Sequence, residues 1–354
     1  MVTVPSPERG GYRRGVSFVL RVALAAAIVW WLVRRAGWEA IVATLGNADP
    51  GFFAAAAVAI SLESVAKSRN WGRLLDGLGT SSAGRRAELW HVYMVASLVG
   101  AVLPSTASTD AMRGILAQRL FGGRPTAHAA AIIINNLLVW IAACSLGLVC
   151  MGVLFAEGQL PDYAYLAAPL FLGVVVAGVG LHIALKYYRR LWLLALRGVL
   201  RRRWYFLRRT IRRLADALLV FERAHVRFAP RALVALLAAI SSALVFAGVA
   251  RAVGVELPLV AWGVIVPLVS LCGLLPISIS GVGGAQAVHV LLLAPFGVSV
   301  AQAFASSALY ALLNILFIVV FGSLSWFFGP DVVTRTAEAT LRMSETPDKT
   351  ARRA

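Results

Sequence analysis

Asp110 and Arg113 stand three residues apart in Ser105-Thr106-Ala107-Ser108-Thr109-Asp110-Ala111-Met112-Arg113, a hydroxyl-rich run directly after Pro104. The spacing predicts a helix over Ala111–Leu120, capped by Ser108 or Thr109 with Asp110 in its first turn, where a carboxylate suits the helix dipole. A helix N-terminus with an arginine one turn in can also hold a phosphate, because guanidinium presents a planar fork to two oxygens. Two readings follow for Arg113: phosphate contact, or a basic anchor beside a capped helix.

A second segment offers backbone rather than charge. Ser280-Gly281-Val282-Gly283-Gly284-Ala285-Gln286 has three glycines in four residues, so the chain can turn sharply and approach a ligand closely. No strand precedes it and no lysine follows, so a nucleotide-binding loop is not expected. Its contribution is exposed N–H groups at the start of a helix over Gln286–Leu293. Asn135, Asn136 and Asn314 interrupt long apolar runs further on. Buried amides commonly join helices, so packing is the first reading for them and headgroup contact the second.

These groups lie in a chain of 354 residues that is 60% apolar and 14% charged, with 34 basic against 16 acidic side chains for a net charge of +18. Ordinary soluble domains run nearer ~45–50% apolar and ~25% charged. No polar stretch reaches the ~100 residues of a soluble catalytic domain, so any chemistry sits within or beside a bilayer. Basic excess on such a chain marks cytoplasmic loops, and nucleic acid is not an expected partner. Cys144, Cys150 and Cys272 lie in apolar runs and read as small buried hydrophobes. His91, His128, His182 and His289 are scattered near span ends without ligand spacing, and His225 lies in a basic loop; interfacial placement is expected for all of them. No catalytic residue, metal or cofactor is assigned.

A spanning helix needs ~20 mostly apolar residues. Eight main runs qualify as candidates: Val16–Val33, Gly51–Ala66, Leu89–Leu103, Ala127–Phe155, Tyr163–Leu185, Ala232–Ala250, Leu257–Leu275 and Val300–Phe328. The basic Arg9, Arg13 and Arg14 precede the first, which is too long for a signal-peptide core and reads as an uncleaved span. Glu63 and Lys67 fit an i,i+4 pair at the end of the second. The connection Lys186–Arg231 holds fourteen basic residues and Glu157–Asp162 none, which orients the chain. Both Lys67–Glu88 and Arg113–Arg124 then want the inside, which requires Leu89–Arg124 to enter and return on one side.

Leu103-Pro104-Ser105-Thr106-Ala107-Ser108 and Leu275-Pro276-Ile277-Ser278-Ile279-Ser280 share the pattern L-P-x-x-x-S. Proline- or glycine-broken apolar segments at corresponding places in two halves point to a transporter binding site. The expectation is an all-α integral membrane protein of about six full spans and two re-entrant hairpins, with an inverted repeat possible on this topology. Residues 1–15 form a cytoplasmic segment, 16–330 the membrane domain, and 331–354 a polar, disordered tail. Leu200, Trp204, Leu207, Ile211, Leu214, Leu218 and Phe221 form a helical stripe opposite Arg208, Arg209, Arg212 and Arg213, a face suited to anionic lipid at the membrane surface; a passive linker fits the same pattern.

Leu103-Pro104, Asp110, Arg113, the basic middle connection and Leu275-Pro276 through Gly284 together resemble the flippase-like membrane domain of the lysylphosphatidylglycerol synthase family, over roughly Val16–Pro330. The resemblance implies lipid translocation in the cytoplasmic membrane. It does not imply lipid aminoacylation, because no stretch fits the soluble transfer domain some members carry. The chain departs from the family pattern where Gln286 replaces a glutamate, Tyr310-Ala311 lacks a following arginine, and Asn135-Asn136 stand for charged residues. On this reading Ser108, Asp110, Arg113, Asn135, Asn136, Ser280, Gly281, Gly283, Gly284, Gln286 and Asn314 contact a lipid headgroup containing phosphate. The alternatives are a membrane enzyme acting on an isoprenoid or phospholipid, and a non-transporting scaffold for envelope biosynthesis. Membrane lipids are the expected partners, and no protein partner is indicated.

Overall fold

The computed structural model describes residues 30–80, 84–102, 106–187, 229–273 and 284–331. Most of Val16–Val33, residues 103–105 and 274–283, the expected stripe with Arg208, Arg209, Arg212 and Arg213, and the residues after 331 lie outside the described residues. Every regular element among the described residues is helical: a helical stretch over 30–36, then α1 Trp38–Gly46, α2 Pro50–Gly77, α3 Arg86–Val102, α4 Thr106–Phe121, α5 Pro125–Ala156, α6 Tyr163–Tyr187, α7 Ala229–Ala252, α8 Leu259–Gly273, α9 Gly284–Leu293, a short 3-10 turn Ala294–Phe296, and α10 Val300–Phe328.

Helices α2, α5, α6, α7 and α10 each carry a window long and apolar enough to cross a membrane. They match the expected spans beginning at Gly51, Ala127, Tyr163, Ala232 and Val300. In hydrocarbon every backbone N–H and C=O must be satisfied within the segment, which a helix alone achieves for a single span. Their outward faces are apolar: Leu166 is 80% exposed and Phe327 79%, surface that water would penalise and acyl chains cover.

The remaining apolar helices are shorter. At ~1.5 Å per residue, α8 is roughly 22 Å long and α9 roughly 15 Å, against a hydrocarbon core of ~30 Å. Pro267 inside α8 also removes one backbone bond. Helices α3 and α4 form an antiparallel hairpin, because their contacts pair off in reverse order. Gly100 meets Thr109 near the tip, Ser97 bonds Arg113 midway, and Arg85, just before α3, reaches the Leu120 carbonyl at 3.3 Å. The hairpin therefore begins and ends at one end, as the basic flanks require.

Other contacts gather at that end. Arg231 near the start of α7 donates to the Arg73 carbonyl of α2 at 3.1 Å. A Cβ on Gly329, just past α10, would lie 3.3 Å from His91 Cβ of α3. Residues 85–91, the start of α7 and the end of α10 thus share one basic end. The described residues form two compact units, those up to Ala57 with Ala243–Leu313, and Val58–Ser242 with those from Asn314. In the first unit, Asp49 N–H donates to the Ala252 carbonyl at 2.8 Å. Gly248 lies so near Ala56 that a Cβ would sit 3.0 Å from its methyl, the close approach that small residues allow between membrane helices.

Candidate functional site

Building the site begins with where α4 starts. It opens at Thr106, earlier than the sequence predicts, so Ser108 and Thr109 lie inside the helix and neither caps it, and Asp110 lies beyond the first turn. Serine and threonine compete with helix only where their hydroxyls find other backbone partners; here packing against α3 holds the run helical. Arg113 consequently sits two turns into α4, and a phosphate reading must rest on its side chain rather than on the helix end.

That side chain is held on three sides. Arg113 Nη1 donates to Asp110 Oδ1 at 3.0 Å, and Nη2 donates to Ser97 Oγ of α3 at 3.0 Å. Its guanidinium carbon lies 4.0 Å from the centre of the Tyr93 ring, a cation–π contact strengthened by desolvation. Ser97 passes its own hydrogen to the Tyr93 carbonyl at 2.9 Å. The other carboxylate oxygen of Asp110 accepts from Asn136 Nδ2 of α5 at 2.8 Å. The Arg113 side chain is only 18% exposed, and its Nε is buried without a hydrogen-bond partner. Burying an N–H this way costs free energy of ~1–3 kcal/mol, so a group that could accept from it is favoured there.

Of the residues expected to form the site, Asp110, Arg113 and Asn136 come together. Asn135, one position and ~100° away on α5, turns instead to accept from Asn70 Nδ2 of α2 at 3.0 Å, the helix-joining role foreseen for it. Asn314 is partly buried in α10 and joins none of these bonds. Ser108 falls within α4, its side chain outside the description, and Ser280, Gly281 and Gly283 lie outside the described residues. Gly284 is buried as the first residue of α9, which begins two positions before the predicted Gln286, and Gln286 is partly buried.

Sequence reasoning missed Tyr93 and Ser97. Their signal was present: a phenol and a hydroxyl at i,i+4 in an otherwise apolar stretch of Leu89–Leu103, on the face that meets α4. Two histidines also need correction. His128 and His289 are each 1% exposed, not interfacial. His128 Nε2 is 2.7 Å from the Gly122 carbonyl, and His289 Nε2 is 2.9 Å from Ser306 Oγ; each imidazole is drawn inward by that partner. Glu63 and Lys67 do form the expected ion pair.

With this geometry in place, comparison with protein families gives one decisive result. The family model for the lysylphosphatidylglycerol synthase transmembrane region matches residues 18–322. The chain belongs to that family. Its membership fixes a multi-pass membrane protein with a lipid-related role, and the matched stretch holds the Arg113 cluster and both short-helix pairs. Comparison with curated proteins gives no match.

Proposed function

We propose that this member of the family moves a polar-headgroup lipid across the cytoplasmic membrane, with Arg113 gripping a phosphate of the headgroup while the acyl tails stay in lipid. The observation that carries the reading is a partly buried guanidinium inside a membrane hairpin, pre-aimed by Asp110, Ser97 and Tyr93, with its buried Nε–H lacking an acceptor. Charges at membrane depth are expensive and mark substrate paths. Asp110 pairs with the cation, and an entering phosphate shares that cation with it. The reading is of a transporter, supported by Asp110 serving as a structural counter-charge, one oxygen bonded to Arg113 and the other to Asn136.

The test is translocation of a fluorescent phospholipid in vesicles reconstituted with the purified protein. Arg113→Ala abolishes translocation with membrane insertion intact, and Arg113→Lys recovers only part, since an ammonium lacks the planar fork. Full activity of Arg113→Lys reduces Arg113 to a positive anchor and removes the proposal.

A further inference from the structure

A second cationic feature lies away from the Arg113 cluster, at the basic end of α2 and α3. A cavity of about 230 Å³ is lined by Val65, Ser68, Arg69, Arg86, Leu89 and Trp90, together with Ala87. Arg86 and Ser97 lie eleven positions apart on α3, roughly 16 Å along the helix, so this cavity is not part of the Arg113 cluster.

Its polar lining is uneven in charge. Arg86 pairs through Nη2 with Asp76, while its Nη1 is buried without a hydrogen-bond partner. Gly72 makes that placement possible: a Cβ there would fall 2.3 Å from Arg86 Nη1 and 2.3 Å from Leu89 Cδ2. The guanidinium is therefore laid across α2 where only a glycine allows it. Arg69 is exposed and has no ion-pair partner among the described residues. With Arg86 offset by Asp76, the lining keeps one net positive charge, and the indole of Trp90 supplies a flat apolar wall.

We infer that this cavity is a separate phosphate-oxyanion site, formed by Arg69 and the unused N–H of Arg86 and suited to a singly charged phosphodiester. Its volume is below the ~300–1,000 Å³ of pockets for drug-sized ligands, so it takes a headgroup phosphate or a free phosphate ion and not a whole lipid. Tryptophan beside arginine is the side-chain pairing of the membrane–water interface, where phosphodiester headgroups lie. The site stands independently of the transport reading, since neither Arg69 nor Arg86 touches the Arg113 cluster.

Full-length protein in a maltoside detergent is titrated by calorimetry with dihexanoyl phosphatidylglycerol and, separately, with inorganic phosphate. Arg69→Gln removes the unpaired cation, and Ala87→Phe fills the cavity without changing any charge. Each substitution is expected to weaken binding at one site about tenfold or more, the scale of one charged hydrogen bond, with the melting temperature unchanged. Weakening for phosphatidylglycerol alone assigns the site to lipid headgroups, and weakening for both probes assigns it to phosphate from either source. A photoreactive phosphatidylglycerol on the unsubstituted protein reads the lipid arm without any variant, and label within 65–90 supports it. Wild-type affinity and stoichiometry for both probes in both variants overturns the inference, as does a wild type that binds neither probe.

Discussion

The hairpin α3–α4 and the pair α8–α9 carry the same Leu-Pro-x-x-x-Ser motif but surround different chemistry. Around the first, a carboxylate, a guanidinium, a hydroxyl and an amide form one charged network with Tyr93 as its wall. Around the second, the central group is His289, with Trp262 of α8 at 6.0 Å and Phe246 of α7 at 5.7 Å between ring centres. Ser306 gives its hydrogen to the Ala303 carbonyl at 2.9 Å, which leaves its oxygen to accept from His289 Nε2 at 2.9 Å. The second region is thus aromatic, and α8, α9 and α10 contain no Asp, Glu, Lys or Arg. A repeated sequence motif does not require repeated chemistry: one copy lies beside an ion-paired polar network, the other beside aromatic packing.

The sharpest way to break this contrast is at the tip of the charged hairpin. A Cβ on Gly100 would lie 1.9 Å from Thr109 Oγ1 and 2.9 Å from Thr109 Cα, so the backbone itself must move. Gly100→Val is expected to cost at least the upper part of the ~1–3 kcal/mol range for overpacking, seen as a large fall in melting temperature and loss of translocation. Asp110→Asn comes next. It leaves Arg113 partly buried without its counter-charge and is expected to destabilise by about 1–3 kcal/mol in thermal unfolding in detergent. The smallest effect is expected at His289→Phe, which fills the aromatic site and leaves Ser306 its bond to Ala303. Stability should change by less than about 1 kcal/mol and translocation should persist. A loss at His289 equal to that at Asp110 would erase the distinction between the two regions.

What the sequence made legible divides along physical lines. Long spans were readable because hydrophobicity in a bilayer is a one-dimensional signal, and the start residues of α2, α5, α6, α7 and α10 fall close to the apolar runs. The return of α3–α4 was readable from charge, because basic flanks on both sides of a short apolar stretch demand one shared end. The start of α4 was not readable. Ser105 to Thr109 have the composition of a cap, yet the run from Thr106 is helical and Thr109 lies close against Gly100 of α3. Asp110, Arg113 and Asn136 were identified one by one, while Tyr93 and Ser97 were passed over as span residues, since which face of α3 meets α4 depends on the tertiary fold. His289 was misplaced for the same reason: Ser306, which holds it, lies 17 positions away on another helix.

The central claim is that Arg113 holds the phosphate of a membrane lipid. It is tested most directly by extracting the lipids that stay with the purified protein and quantifying them by mass spectrometry, wild type beside Arg113→Ala. The account predicts one phosphate-containing lipid enriched over the bulk membrane in the wild type and depleted to the bulk proportion in Arg113→Ala, with Arg113→Lys between them. The same enriched lipid at equal yield in wild type and Arg113→Ala would contradict it.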